Sequence, residues 1–247
     1  MNPPIILSLD TASIGGSVWL GRGNGQLATL IGDPKVSQSA SLLSDISNCL
    51  DQSGLKLSDV DLFACASGPG SFTGLRIGIA TLKGLAASLE RPCLGIPTLE
   101  AVAQAGGPSQ ATVALLPAGR GEVFAQMFSV AEGAVVKELD RATHLSPERM
   151  VERYASFKQL KWAGSGAYLQ RDLLDSHAQQ QGIYFSQTLS EPDAAQPEYL
   201  NGIWELAAPE VNLAKHVAAL ALQRFQSGEI QSPHTLSAIY VRPSDAE

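Results

Sequence analysis

The run Gly68-Pro69-Gly70-Ser71-Phe72-Thr73-Gly74 joins an apolar stretch, Asp61 to Ala66, to a helical pattern that begins at Leu75. Its closely spaced glycines allow a tight turn with exposed amides, and the start of the following helix adds partial positive charge. An anion such as a phosphate could be cradled there. The standard nucleotide signatures are not met. No Gly-Lys-Ser/Thr follows, and the third glycine falls one place late for a dinucleotide fingerprint. The same glycines serve a purely structural turn equally well.

Asp10-Thr11, closing the apolar run Ile5 to Leu9, is the second candidate. A carboxylate at the end of a first strand is where a phosphotransferase or ATPase would hold a magnesium-facing acid; the alternative is an Asp that caps its own turn. A second acid would strengthen the first reading. The matching place in the second half reads Leu115-Leu116-Pro117, with no acid until Glu122. No Gly-x-Ser-x-Gly elbow occurs, so no serine nucleophile is indicated. His144, His177, His216 and His234 are scattered, none with a second histidine four residues on, and read as surface or helix-end residues. Cys49, Cys65 and Cys93 stand singly in apolar surroundings and suggest neither a disulfide framework nor a zinc knuckle.

The elements that must position these residues are legible as alternating patterns. Ile5 to Leu9, Ser17 to Leu20 and Gln26 to Ile31 are separated by glycine turns and predict a meander of three strands. Leu42, Leu43, Ile46 and Leu50 recur at helical spacing over Ser39 to Leu50. A strand over Asp61 to Ala66, a helix over Leu75 to Leu89 and a strand over Cys93 to Ile96 complete the first half. Gly106-Gly107-Pro108-Ser109 marks a boundary. The second half restarts with Thr112 to Leu116, breaks at Pro117-Ala118-Gly119 and resumes over Glu122 to Val130. Ser146-Pro147-Glu148 is a helix start. A strand over Leu160 to Ala163, a helix over Ala167 to His177, a polar loop over Glu191 to Pro197, a helix over Val211 to Phe225 and an extended segment over Leu236 to Val241 follow. Strands alternating with helices predict an α/β architecture with mixed sheets.

Composition bounds what such a fold can do. The 247 residues are 45% hydrophobic and 17% charged, which excludes disorder, and the net charge of −7 gives no basic surplus with which to grip nucleic acid unaided. No apolar stretch approaches the roughly 20 residues of a membrane span. These features predict a soluble, cytoplasmic protein. The helix from Leu75 is apolar on one stripe and small or uncharged over much of the rest, with Ile77, Ala80, Gly84 and Ala87 away from the stripe of Leu75, Ile79, Leu82 and Ala86. Such a helix is either a core helix beneath the second half or one side of a subunit interface shared with the helix Ser39 to Leu50.

The opening Leu7-Ser8-Leu9-Asp10-Thr11-Ala12, the string Gly68 to Gly78 and the ending Ile239-Tyr240-Val241-Arg242 together resemble the TsaB family, also called YeaZ-like. These are dimerization subunits of the bacterial machinery that makes threonylcarbamoyladenosine in tRNA. The resemblance covers the first 105 residues well and the rest in outline. It implies an actin-like, sugar-kinase-like duplicated α/β fold, divided into residues 1–104 and 105–247 with the final segment packing back on the first. It further implies a non-catalytic relative of TsaD that pairs with a TsaD-type catalytic subunit through its first two helices. A TsaE-type ATPase joins them in threonylcarbamoyl transfer to N6 of the adenosine beside the anticodon.

On this reading the chain is a homodimer when alone and meets tRNA only through the complex. It needs no cofactor, weak ATP or ADP binding being left open, and it holds no metal, since Ser37-Gln38-Ser39-Ala40-Ser41 lacks the histidine pair of TsaD-like proteins. The partner face is expected at Leu42, Leu43, Ile46, Leu50, Arg76, Ile77, Ile79, Ala80, Lys83, Gly84 and Ala87. Asp10, Thr11 and Gly68, Pro69, Gly70, Ser71, Phe72, Thr73, Gly74 form a structural turn or phosphate loop. An ATP-binding phosphotransferase or ATPase is the alternative reading. A glycoprotease-like peptidase is a remote one, without nucleophile, base or metal constellation to support it.

Overall fold

The computed structural model describes residues 2–133, 135–187 and 201–241. In chain order the elements are β1 (Ile5–Asp10), β2 (Ser17–Arg22), β3 (Gly25–Ile31), α1 (Gln38–Ser53), β4 (Leu62–Gly68), α2 (Phe72–Ser88), β5 (Cys93–Pro97) and α3 (Thr98–Ala105). They continue with β6 (Ser109–Gly119), β7 (Glu122–Val130), β8 (Val136–Glu138), β9 (Thr143–Leu145), α4 (Pro147–Tyr154) and β10 (Gln159–Ala163). The last are α5 (Ser165–Leu169), α6 (Arg171–Gln180), β11 (Tyr184–Gln187), β12 (Ile203–Leu206) and α7 (Leu213–Gln226). The chain forms two compact units. Met1–Ala101 with Val211–Tyr240 makes the first, and Val102–Glu210 the body of the second.

The first unit is built on a five-stranded sheet in the order β3-β2-β1-β4-β5. The two meander pairings are antiparallel, and β1–β4 and β4–β5 are parallel, as the intervening helices require. Every residue of β1 and of β4 is buried, so both faces of the sheet are covered. α1 and α2 pack on each other and on the sheet. α7 packs on the sheet as well, tied to it where Ser8 Oγ donates to the carbonyl of Ala214 at 2.7 Å and the Ala214 amide donates to Ser17 Oγ at 3.0 Å.

The second unit repeats the scheme. Its sheet runs β11-β12-β10-β6-β7-β8, with β9 also on β7. β6 and β7 are antiparallel, whereas β6–β10, β10–β12 and β11–β12 are parallel. Trp162 and Trp204 meet edge-on at 5.1 Å between centroids in its core. The mixed α/β architecture with two sheets flanked by helices is the one the alternating pattern predicts.

Several details differ from the sequence reading. The division falls at Ala101/Val102 rather than after residue 104, and the helix assigned to the second half, α7, belongs to the first unit. β6 does not break at Pro117. It continues to Gly119, with Pro117 paired to Val123 beside an irregularity in the ladder, a place where a residue without an amide is tolerated. The single helix expected over Ala167 to His177 is two, α5 and α6, because Gln170 leaves helical geometry at φ −101°, ψ 12°. α2 starts three residues early because Ser71 caps it, its Oγ accepting the Gly74 amide at 3.2 Å. The segment from Leu236 joins no strand; it is held instead by the Ile239 amide donating to the Ser67 carbonyl at 2.7 Å. The polar loop over Glu191 to Pro197 and the residue Arg242 lie outside the described residues.

Candidate functional site

β4 ends at Gly68, whose φ of +117° and cis bond to Pro69 turn the chain toward α2. The Gly68 amide donates to Thr98 Oγ1 at 3.0 Å, and the Ser71 amide donates to the Ala12 carbonyl at 2.9 Å. The glycines of this string have a steric purpose. A Cβ on Gly70 would lie 2.7 Å from Ala12, and one on Gly74 or Gly78 would overlap the carbonyl oxygen and the hydroxyl of Thr11. The first turns of α2 therefore rest directly on the backbone after β1. The Ser71 and Gly74 amides, which a phosphate cradle would present, are occupied within the chain.

Asp10 is buried and caps its own turn, accepting from the amides of Ala12 at 2.9 Å and Ser13 at 3.2 Å. Burial raises its pKa above the ordinary carboxylate value, opposed by the Ser13 side chain and those two amides. A small cleft beside it is lined by Thr11, Gly16, Gln38 and Asp45. At its rim Gln38 Nε2 donates to the Ser13 carbonyl at 3.1 Å, so the head of α1 braces the same turn.

The raised pKa has a consequence for stability. Because the folded state favours the neutral acid, Asp10 contributes least above its folded pKa, and stability falls as pH rises from the unfolded value of 3.8 through that pKa. Asp10→Asn keeps an acceptor for both amides and removes this cost. The variant is expected to unfold at equal or higher urea concentration at pH 7, with a flatter dependence on pH above the unfolded value of 3.8. Urea titrations across that range check it; a uniform loss of stability would mean the charged carboxylate is needed.

The helix residues sort cleanly into two groups. Leu42, Ile46, Leu50 and Ile79, expected at a partner face, instead point into the core of the first unit. They are the apolar stripe that α1 and α2 need in order to fold on their own sheet, so they are unavailable to a partner. Leu43 is 66% exposed, and Arg76, Ala80, Gly84 and Ala87 are exposed with it, with Ile77 and Lys83 half-buried. Gly84 differs from Gly74 and Gly78: a Cβ there would meet nothing within 4 Å. Among the described residues nothing explains a glycine inside that helix.

At the head of α2 the exposed Phe72 carries the Arg76 guanidinium over its ring at 3.9 Å, and Tyr240 packs against the same ring at 5.5 Å. Phe72 thus belongs to a surface aromatic cluster as well as to the glycine turn. Its i, i+4 spacing to Arg76 was a usable signal; the approach of Tyr240 from 168 residues on had none in the local pattern. The segment that brings Tyr240 is tied to α2 by Lys83 Nζ donating to the Leu236 carbonyl at 3.0 Å.

Other reactive side chains are engaged structurally. Burial pushes the thiols of Cys49, to about 11, Cys65 and Cys93 upward. His177 stacks on Trp204, and His144 lies 2.8 Å from Glu122. Among the described residues no group of three or more His, Cys, Asp or Glu could hold a metal ion, and no helix is long and apolar enough to cross a membrane.

The family described as TsaD, tRNA N6-adenosine threonylcarbamoyltransferase, matches residues 37–196. The tRNA threonylcarbamoyladenosine biosynthesis protein TsaB of Escherichia coli K12 is 32% identical over 151 residues, 60% of this chain and 65% of that protein. The TsaB protein of Haemophilus influenzae is 30% identical over 173 residues, 64% of this chain and 71% of that protein. The chain belongs to the TsaB family. The match thus spans just under two thirds of the E. coli TsaB protein. A crystal structure from Pseudomonas aeruginosa, described as an uncharacterized protein with similarity to peptidase YEAZ, superposes on this TsaB-family chain with a TM-score of 0.73 at 26% identity. It covers 97% of this chain and 100% of its own. The family match begins just before α1 and takes in α2, so both helices of the exposed face lie within it.

Proposed function

We propose that this TsaB-family chain is a non-catalytic accessory subunit in the synthesis of threonylcarbamoyladenosine on tRNA. It docks through the outer face of α1 and α2 on a TsaD-type catalytic subunit, and a TsaE-type ATPase joins the pair. In this reading the chain needs no cofactor or metal of its own, self-associates through the same face when the partner is missing, and meets tRNA only within the assembly. Its net charge of −7 accords with that indirect role.

The observation that carries the reading is Gly84. A glycine in a helix interior costs about 1 kcal/mol relative to alanine, and among the described residues no neighbour requires it. With exposed Ala80 and Ala87, at helical spacing on α2, it makes a surface on which another helix could approach closely. A standard interface of about 1,600 Å² would cover both helices. The engagement of the Ser71 and Gly74 amides within the chain weighs against the phosphotransferase alternative.

The test is reconstitution. Threonylcarbamoyl transfer to tRNA is measured with the TsaD-type and TsaE-type proteins of the same organism, with and without this chain. Activity is expected only when all are present, and none from this chain alone. Full activity in its absence would overturn the accessory role; turnover by the isolated chain would overturn the non-catalytic one.

A further inference from the structure

The face proposed above is unevenly charged in a way that distinguishes its two candidate partners. The protein has a surplus of acids, yet α2 contains no Asp or Glu between Phe72 and Ser88; its charges are Arg76 and Lys83. Arg76 is exposed and held over the Phe72 ring, which fixes its guanidinium without neutralising it. Among the described residues it has no carboxylate partner. Lys83 gives its ammonium to the Leu236 carbonyl, a contact that leaves its charge in place.

Two copies that pair through the same face of α2 in a closed dimer are related by a two-fold axis. With antiparallel helices crossing at Ala80, the exposed midpoint of Phe72–Ser88, each position before Ala80 meets the equivalent position after it. Arg76 then lies across from Gly84 of the second copy and beside its Lys83, and the symmetry creates this like-charge contact twice. A different protein is under no such constraint and can place an acid there.

We propose that Arg76 is a selectivity residue of the docking face: it recognises a carboxylate on the TsaD-type subunit and, with Lys83, disfavours pairing of the chain with itself. This rests on the pairing role proposed above. Stacking on Phe72, braced by Tyr240, pre-orders the planar guanidinium and suits it to two parallel bonds with a carboxylate. Charge repulsion across a self-pair is the repulsive element that specificity between similar partners requires.

The experiment measures both dissociation constants, for self-association and for the complex with the TsaD-type subunit, using the full chain and Arg76→Glu at low and high salt. Arg76→Glu is expected to weaken the mixed complex at least tenfold and to tighten self-association about five- to tenfold, since two exposed pairs turn from repulsive to attractive. For the unaltered chain, added salt should strengthen self-association and weaken the mixed complex. Ala80→Asp serves as the control for the face itself. If Ala80→Asp disrupts both assemblies while Arg76→Glu moves them in the same direction or not at all, the charge inference fails and the face stands. If Ala80→Asp leaves both intact, the docking face itself is wrong.

Discussion

Ala80→Asp is expected to abolish pairing while leaving the chain folded. Ala80 is exposed at the middle of α2 and makes no part of the apolar core. The substitution should therefore cost the isolated chain little beyond the lower helix propensity of Asp, roughly 0.5 kcal/mol. At a docked face the same carboxylate would be buried without a partner, a penalty of about 3 kcal/mol or more, which is roughly 150-fold in affinity. Light scattering on mixtures with the TsaD-type subunit, alongside thermal melts of the variant alone, checks both halves. Ile79→Asp is unsuitable for this purpose. Ile79 is only 7% exposed and packs in the chain's own core, so its replacement would unfold the first unit and say nothing about the face.

Glycine-to-alanine changes along α2 are expected to differ in sign. At Gly74 the new methyl would overlap the carbonyl oxygen of Thr11, a backbone atom in the turn that Asp10 and Gln38 brace, so it has nowhere to go. Overpacking of this kind costs about 1–3 kcal/mol, and a rigid neighbour puts Gly74→Ala at the upper end. Gly78→Ala faces the hydroxyl of Thr11 and should be similarly harmful. Gly84→Ala meets open space and should stabilise the isolated chain by about 1 kcal/mol through helix propensity, while weakening close docking. Urea unfolding of the three variants is the measurement. Equal effects at Gly74 and Gly84 would contradict the division of α2 into a face packed on the β1 turn and a free face.

That division explains how much was legible beforehand. The fold class follows from periodicity: strands such as β1 and β4 are mostly apolar and buried throughout, and α1 carries Leu42, Ile46 and Leu50 at helical spacing. The same periodicity misled the assignment of the face. An apolar stripe marks whichever side is buried, and Leu42, Ile46, Leu50 and Ile79 are buried by their own sheet. What remains for a partner is the poorly marked complement: small residues with Leu43, Arg76 and the half-buried Ile77 and Lys83. Likewise, the sequence makes Gly74, Gly78 and Gly84 look alike; only the position of Thr11 tells them apart. The three-residue strands β8 and β9 are too short to carry a period, and α7 joins the first unit through contacts such as Ser8 with Ala214 that span 206 residues.

The central claim is that the outer face of α1 and α2 exists to be covered by another protein. Sedimentation velocity on the chain mixed with its TsaD-type subunit tests it most directly, run in parallel with Ala80→Asp. A one-to-one complex that forms with the unaltered chain and disappears with the folded variant is the predicted result. Two independently sedimenting species with the unaltered chain, or a complex indifferent to Ala80→Asp, would contradict it.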